Sequence, residues 1–380
     1  MNKVIFAHQL RGIAAMMVVI SHLMGVFWGM RETVAAWTFS PVLEGWIPTS
    51  VGIAFLPFPS FGPLGVGLFY LISGFVISFS IQRANPLSFL TSRAFRIYPL
   101  YWACSLISLT VLYFSAQYWN KPFNVDTGSF LSNMLLVHNY FSIPSFDLIN
   151  TTLAIEIKFY LLAALLTPWL RKAQLWPVFA VALVALTMNA EFDLIASSIT
   201  SSLPQLNVVN QLAIELQYVC FMFTGTLFYY HFSGKISTAK LIASVLLQLG
   251  IFTLLWKEGQ QANQFPVVTN NYLFAAILFA AVYSLRRFFR PIKPLDWLAD
   301  ISYPLYILHS LVGYSLIKIL MDNSLSYEWS LGLSLAMIFM LAYISHIFVE
   351  MPANRIGKAL GNCFGMKTRE VSEKRAEVAS

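Results

Sequence analysis

The sequence has few charged residues for its length. Only 11% of its 380 residues are Asp, Glu, Lys or Arg, whereas 58% are hydrophobic. A soluble domain carries about 25% charged residues, so this chain has too few charges to cover a water-facing surface of its size. This scarcity excludes soluble, disordered, fibrous and coiled-coil proteins. It predicts a polytopic membrane protein whose main solvent is lipid.

The sequence also has few cysteines, and it lacks an internal repeat. Cys104, Cys220 and Cys363 show no spacing typical of a metal site or a disulfide, so we expect neither. No small-x-small cleavage site follows the first apolar run, which ends near Trp28. We therefore expect this run to be a transmembrane helix and not a signal peptide. The missing repeat gives no support to an inverted-repeat transporter.

Ten apolar stretches are candidates for transmembrane helices, because a helix needs ~20 apolar residues to cross the bilayer core. They are residues 1–28 and the stretches centred near 64–82, 98–116, 150–168, 175–190, 212–232, 241–256, 271–285, 298–320 and 330–350. We therefore predict an all-α, polytopic bundle of about ten spans. The transmembrane domain is expected to cover residues 1–356, and the polar tail 357–380 is expected to be disordered.

The Lys and Arg residues predict the orientation of the chain. With a cytoplasmic N-terminus, 18 of the 24 fall in cytoplasmic segments and 3 in outside loops, and Arg11, Lys158 and Lys318 fall within helices. Cytoplasmic loops are enriched in Lys and Arg, so both termini are expected to be cytoplasmic. This topology accounts for the net charge of +7. We therefore expect membrane lipids and no nucleic acid as partners.

Ionisable residues occur inside the predicted spans, where they are costly and usually face a cavity or a partner. They are Arg11, His22, Glu156, Lys158, Glu215, His309, Lys318 and His346, with Glu350 near a helix end. A satisfied structural pair is the alternative for each one. Lys158 and Lys318 could also extend their ammonium groups to the interface.

Arg11 and His22 are eleven residues apart on the first helix. At about 100° per residue this spacing is close to three full turns, so the two side chains share a face about 16 Å apart. Arg is a permanent cation that can hold a phosphate or carbonyl oxygen, and a neutral His is suited to general-base chemistry. A long ligand from the cytoplasm would pass Arg11 and reach His22 in the outer half. The alternative for a lone His is helix pairing.

Two further motifs are candidates for ligand binding. Ser73-Gly74 lies at mid-membrane depth, where Gly74 either packs a helix closely or lets a ligand approach the backbone while Ser73 donates a hydrogen bond. Arg93 and Arg96 share one face of a short helix that we expect Pro99 to interrupt. These arginines either reflect the positive-inside topology alone or bind phosphates in a bidentate manner.

Glu156 is expected at about the depth of His22. A carboxylate there would orient the imidazole and stabilise its charged form. Tyr160, four residues later, lies on the same helical face. His309 is expected near mid-membrane in the ninth span, and Tyr160 and His309 are candidates for substrate binding.

Six motifs, in this order along the chain, resemble the acyltransferase-3 family of integral membrane acyltransferases. They are R-x10-H at Arg11 and His22, S-G-F at Ser73 to Phe75, R-x-x-R-I-x-P at Arg93 to Pro99, E-x-x-F-Y at Glu156 to Tyr160, Y-P-L-Y-x-L-H at Tyr303 to His309, and V-E-x-P at Val349 to Pro352. The sequence departs from the family pattern in two places. The region before Glu156 reads Asn150-Thr151-Thr152-Leu153 where a Trp is frequent, and the sequence includes no hydrolase-like domain of the kind fused to some relatives.

The resemblance implies transfer of an acyl group, usually acetyl, from cytoplasmic acyl-CoA to a hydroxyl of a cell-surface or exported glycan such as lipopolysaccharide. It implies acetyl-CoA as the donor and a bacterial inner membrane as the location. His22, Glu156 and Arg11 would be catalytic. Arg93, Arg96, Arg11, Ser73 and Gly74 would bind the donor, and Tyr160 and His309 the substrate. A transporter or flippase for a glycan or lipid-linked substrate is the alternative. The acceptor, and whether the chain forms a homo-oligomer, stay open.

Overall fold

The computed structural model describes residues 4–190 and 203–363, and all regular structure in these two ranges is helical. The predicted all-α fold class is thereby confirmed. Eight helices are long and apolar enough to span a membrane. They are Ile5–Gly29, Phe61–Ile81, Pro86–Tyr118, Asn207–Phe232, Thr238–Glu258, Val267–Ser284, Ser302–Asp322 and Tyr327–Cys363.

We number the α-helices along the described chain. They are α1 (Ile5–Ile20), α2 (Arg31–Trp37), α3 (Phe61–Ile81), α4 (Pro86–Tyr118), α5 (Thr127–Met134), α6 (Ile149–Leu165), α7 (Thr167–Arg171), α8 (Trp176–Ala190), α9 (Leu203–Phe232), α10 (Thr238–Glu258), α11 (Val267–Ser284), α12 (Lys293–Asp300), α13 (Ser302–Asp322) and α14 (Tyr327–Ser345). Short 3-10 helices lie at Thr49–Phe55, His138–Phe141, Ala262–Gln264 and Arg286–Phe288.

Three expectations about helix length differ from the structure. Two of the ten predicted spans form shorter helices, α6 with 17 residues and α8 with 15. Pro168 lies in the first turn of the five-residue α7, where its missing N–H group is tolerated, so a new helix begins there.

Pro99 does not interrupt α4, which is 33 residues long, because tight packing against neighbouring helices tolerates a proline inside a transmembrane helix. The last span continues past 356 to Cys363, and residues 364–380 of the predicted tail lie outside the described ranges.

Helix α3 lies at the centre of the bundle, in contact with α1, α9 and α11. Its crossing with α9 depends on two glycines. A Cβ at Gly74 would lie 1.8 Å from the carbonyl oxygen of Met222, and a Cβ at Gly225 would lie 2.1 Å from that of Leu71. Small residues let transmembrane helices approach this closely. The crossing fixes the position of α3. It thereby fixes Ser73, which directly precedes Gly74 in the sequence.

The first and last spans each contain a π-helical turn. Ser21–Val26 continues α1, and His346–Glu350 continues α14. A π turn leaves backbone carbonyls of the helix free for other partners, and the Tyr327 hydroxyl donates to the Leu23 carbonyl at 2.9 Å. The residues in these turns include His22 and Glu350, consistent with the frequent use of π turns at functional sites.

The end of the bundle where α1 begins carries a cluster of basic loops. The Lys235 ammonium donates to the Arg171 carbonyl at 2.6 Å, and the Arg171 guanidinium donates to the carbonyls of Ile81 and Ala84 at 2.8 and 2.6 Å. We call this end, defined by Arg83, Arg171 and Lys235, the basic end. The contact of Phe6 with Phe75, 5.5 Å between ring centroids, shows that α1 begins where α3 ends.

Candidate active site

A cavity of about 400 Å³ lies between α1, α3, α4, α6 and α13. Near the basic end its wall includes the beginning of α1 and the end of α3, and it continues inward to Val66, Phe69 and Tyr306. The polar residues of the wall are His8, Arg11, Tyr70, Ser73, Ser80, Arg93, Arg96, Thr152, Glu156, Tyr160, Ser302, Tyr303, Tyr306 and Lys358. Six of the nine predicted site residues are therefore brought together: Arg11, Ser73, Arg93, Arg96, Glu156 and Tyr160.

The three arginines of the wall differ in how they are held. Arg93 donates to the Ser80 hydroxyl at 2.6 Å, and its guanidinium lies over the rings of Phe89 and Tyr160 at 5.7 and 5.8 Å. Arg11 donates to the Ala299 carbonyl at 3.1 Å. Arg96 makes no hydrogen bond or ion pair with any residue in the described ranges. Its N–H groups are consequently the most available to a ligand.

The wall of the cavity carries more positive than negative charge. Arg11, Arg93, Arg96 and Lys358 line it, whereas Glu156 is its one carboxylate among the described residues. A cavity wall with more cations than carboxylates favours an anionic ligand, because an unpaired charge away from bulk water is costly. Lys358 is one of the 18 Lys and Arg residues that the charge pattern predicts to be cytoplasmic, and that pattern indicates no site role for it. The last span continues beyond Glu350 to Cys363, which brings Lys358 to the cavity.

Glu156 is held by two hydroxyl groups. Its Oε1 accepts a hydrogen bond from Ser73 at 3.0 Å and a short one from Tyr160 on the next turn of α6. This carboxylate makes no hydrogen bond to His22. The expectation that Glu156 orients the His22 imidazole therefore does not match the geometry, because Glu156 lies in the cavity wall with the arginines and not beside the π turn.

His22 is instead paired with His309. His22 Nδ1 lies 3.0 Å from His309 Nε2, and the ring centroids are 4.9 Å apart. On the other side of its ring, His309 Nδ1 lies 2.9 Å from the Tyr306 carbonyl oxygen and 3.3 Å from that of Leu305. His309 is fully buried. The two predicted residues thus form one site, which we call the histidine pair.

Aromatic side chains line the cavity where it approaches the histidine pair. Phe69 and Tyr306 line the inner end of the cavity, whereas neither histidine does. Their rings meet edge to face at 5.3 Å, and the Tyr306 hydroxyl shares a hydrogen bond of 2.7 Å with Thr152. Tyr306 also contacts His309, with 5.9 Å between centroids. We call Phe69 and Tyr306 the inner wall.

The remaining predicted site residue, Gly74, does not line the cavity. It faces Met222 and Gly225 of α9 at the helix crossing described above. This placement favours helix packing, the first of the two interpretations that the sequence left open. Within the described ranges, no cluster of three His, Cys, Asp or Glu side chains has an arrangement that could hold a metal ion.

Several other intramembrane charges have structural partners. Lys158 pairs with the buried Glu215 at 3.0 Å, and Tyr140 donates to the same carboxylate at 2.7 Å. His346 lies 2.7 Å from Glu350 within the second π turn. These contacts correspond to the satisfied pairs that the sequence allowed for.

Fold and site together define a polytopic helical membrane protein with a cationic cavity beside a histidine pair. The acyltransferase domain of the acyltransferase 3 family matches residues 4–348, nearly the whole chain. The chain therefore belongs to this family, which confirms the resemblance seen in its motifs. Membership implies an acyltransferase that takes an acyl donor and an acceptor. Neither the curated proteins nor the solved structures contain a match to the chain.

Proposed function

We propose that the protein transfers an acetyl group from cytoplasmic acetyl-CoA to a hydroxyl of a cell-surface or exported glycan. The observation that carries this proposal is the cation-rich cavity that ends beside the histidine pair. Coenzyme A carries several phosphate charges, so it fits a wall with four Lys or Arg side chains and one carboxylate. The proposal takes the basic end as cytoplasmic and the membrane as the bacterial inner membrane.

The phosphates of the donor would bind near Arg96 and Lys358. Arg96 has N–H groups that the described residues leave free, and Lys358 adds a second cation at the same wall. Arg93 is already bound to Ser80, so it would mainly shape the site. Glu156, fixed by Ser73 and Tyr160, would balance part of the arginine charge and keep the guanidiniums in place.

The pantetheine arm would extend inward past Arg11, so that the thioester reaches the histidine pair. His22 Nε2 would take the proton of the acceptor hydroxyl while that oxygen bonds to the thioester carbonyl carbon. The C–S bond then breaks, and the thiolate of coenzyme A leaves with the proton that His22 held. Phe69 and Tyr306 must move aside for this step. Their apolar rings would keep water away from the thioester and so limit hydrolysis.

Radiolabelled acetyl-CoA tests the activity on detergent-purified protein. We expect the wild-type protein to release label slowly to water and faster to a glycan extract of its own cells. A His22→Ala protein is the control, because it keeps the cavity and lacks the base. Glycan analysis of a deletion strain then identifies the acceptor. Wild-type protein that transfers no label, together with unchanged glycans in the deletion strain, would overturn the proposal.

Cysteine labelling tests the proposed orientation. A Lys374→Cys variant in a Cys363→Ser background carries a single reactive position near the C-terminus, because Cys104 and Cys220 are buried. An impermeant maleimide should label it in inverted vesicles but not in intact spheroplasts. Efficient labelling of intact spheroplasts would place the C-terminus outside and reverse the orientation of the donor cavity.

A further inference from the structure

We propose that His309 is a positioning residue that holds His22 in a single tautomer, with the proton on Nδ1 and the lone pair on Nε2. This inference rests on the proposed function, in which His22 is the base. It adds a specific assignment: the nitrogen that takes the acceptor proton is Nε2. It also replaces Glu156 with His309 as the group that orients His22.

The surroundings of His309 determine where its own proton lies. Its Nδ1 faces the carbonyl oxygens of Tyr306 and Leu305 at 2.9 and 3.3 Å. A carbonyl oxygen only accepts hydrogen bonds, so Nδ1 must carry a proton and donate it. In a neutral ring the other nitrogen, Nε2, then carries a lone pair and accepts. The backbone of α13 thereby fixes the tautomer of His309.

The tautomer of His22 follows from that of His309. Its Nδ1 lies 3.0 Å from His309 Nε2, so His22 Nδ1 must be the donor in this hydrogen bond. His22 Nε2 is left with a lone pair and has no hydrogen-bond partner among the described residues. No carboxylate in the described ranges forms a hydrogen bond or ion pair with either ring, so no such partner favours a permanent imidazolium. The hydrogen-bond chain therefore runs from His22 through His309 to the backbone.

The chain around the pair keeps both rings in place. The π turn at Ser21–Val26 presents His22, and Tyr327 donates to the Leu23 carbonyl next to it at 2.9 Å. On the other side, α13 approaches closely, since a Cβ at Gly313 would lie 2.6 Å from a methyl of Leu23. A ring held from both helices loses little freedom when the acceptor arrives, as a preorganised site requires.

His309 also has a role once His22 has taken the proton. The His22 imidazolium still donates from Nδ1 to His309 Nε2, so the positive charge is shared with a polarisable neutral ring. A buried carboxylate has this role in a serine-protease triad. Here a neutral imidazole tied to the backbone takes its place, and it avoids the cost of a second buried charge.

Two variants of His309 separate positioning from packing. In His309→Gln the amide oxygen can accept from His22 Nδ1, so we expect turnover to fall by less than ~10-fold. In His309→Leu the acceptor is lost at similar volume, so turnover should fall by ~10²-fold or more, as for a misdirected general base. Donor affinity should be unchanged in both, because neither histidine lines the cavity. His138→Leu is the matched control, since His138 is also fully buried and lies apart from the cavity.

Nitrogen-15 NMR of histidine-labelled protein reads the tautomer directly and needs no activity. We expect His22 Nδ1 to be protonated in the wild-type and His309→Gln proteins, and both nitrogens to share the proton in His309→Leu. Wild-type protein with the proton on Nε2 of His22 would overturn the inference, as would wild-type turnover in a folded His309→Leu protein. Absent acetyl transfer with the expected tautomer would instead reject the proposed function.

Discussion

Arg96 is the residue whose loss should most weaken donor binding. It lines the cavity, and no described residue occupies its N–H groups, whereas Arg93 already donates to Ser80 at 2.6 Å. A hydrogen bond to a charged group contributes ~1.5–3 kcal/mol, so a bidentate contact with one phosphate is worth roughly 2–4 kcal/mol after losses to solvation. Arg96→Ala should therefore raise the Kd for coenzyme A by ~30-fold or more. Arg93→Ala should have a smaller effect.

Calorimetric titration of coenzyme A into detergent-purified variants measures this difference. Arg355→Ala is the control, because Arg355 is an exposed cation near Lys358 in the last span and does not line the cavity. Pantetheine, which lacks the phosphates of the nucleotide half, should bind the wild type and Arg96→Ala equally. The assignment of Arg96 to phosphate binding fails if its variant binds coenzyme A like the wild type, or if Arg93→Ala is the weaker binder of the two.

Three other outcomes can be measured on the same preparations. His22→Ala should lose ~10²-fold or more in turnover while donor affinity survives, and normal turnover in a folded protein would remove His22 from the chemistry. Gly74→Ala should strongly lower the thermal unfolding temperature, because its Cβ would lie 1.8 Å from the Met222 carbonyl, whereas Gly250→Ala, with open space around it, should not. His138 lies outside the spans, and burial lowers its pKa from 6.5 to about 4, so the folded protein should lose stability as the pH falls from 6.5 to 4. Chemical denaturation of His138→Leu should show a shallower loss over that range, and equal slopes would contradict the burial of a neutral His138.

Much of the architecture could be predicted because lipid imposes a strong pattern on sequence. Apolar length predicts spanning helices, and the described chain has eight of them in an all-helical bundle. The two predicted spans that proved shorter, α6 and α8, were apolar enough but lacked length. Hydropathy is averaged over a window, so it does not reveal that α7, with Pro168 as its second residue, begins two residues after α6 ends.

The partners within the site could not be predicted in the same way. His22 and His309 are 287 positions apart in the sequence, and their contact depends on how α1 meets α13. Association of helices in a membrane follows packing detail and not hydrophobic pattern, so a single sequence carries little signal for it. The π turn at Ser21–Val26 adds to the difficulty, since the spacing of an ideal α-helix no longer applies along this segment. Arg11, on the regular part of α1, lines the cavity as expected.

Phe69 and Tyr306 have a consequence for the cell as well as for the reaction. The proposed location is a bacterial inner membrane, which would store energy as a proton gradient, and any continuous watery passage through it would discharge that gradient. Among the described residues, the rings of Phe69 and Tyr306 line the cavity and neither histidine does, so an unoccupied cavity is not lined as far as the histidine pair. In the proposed reaction the two rings move aside only for the thioester end of the donor. If the proposal holds, the donor itself would fill the opening between the two rings while the enzyme modifies material on the other side of the membrane.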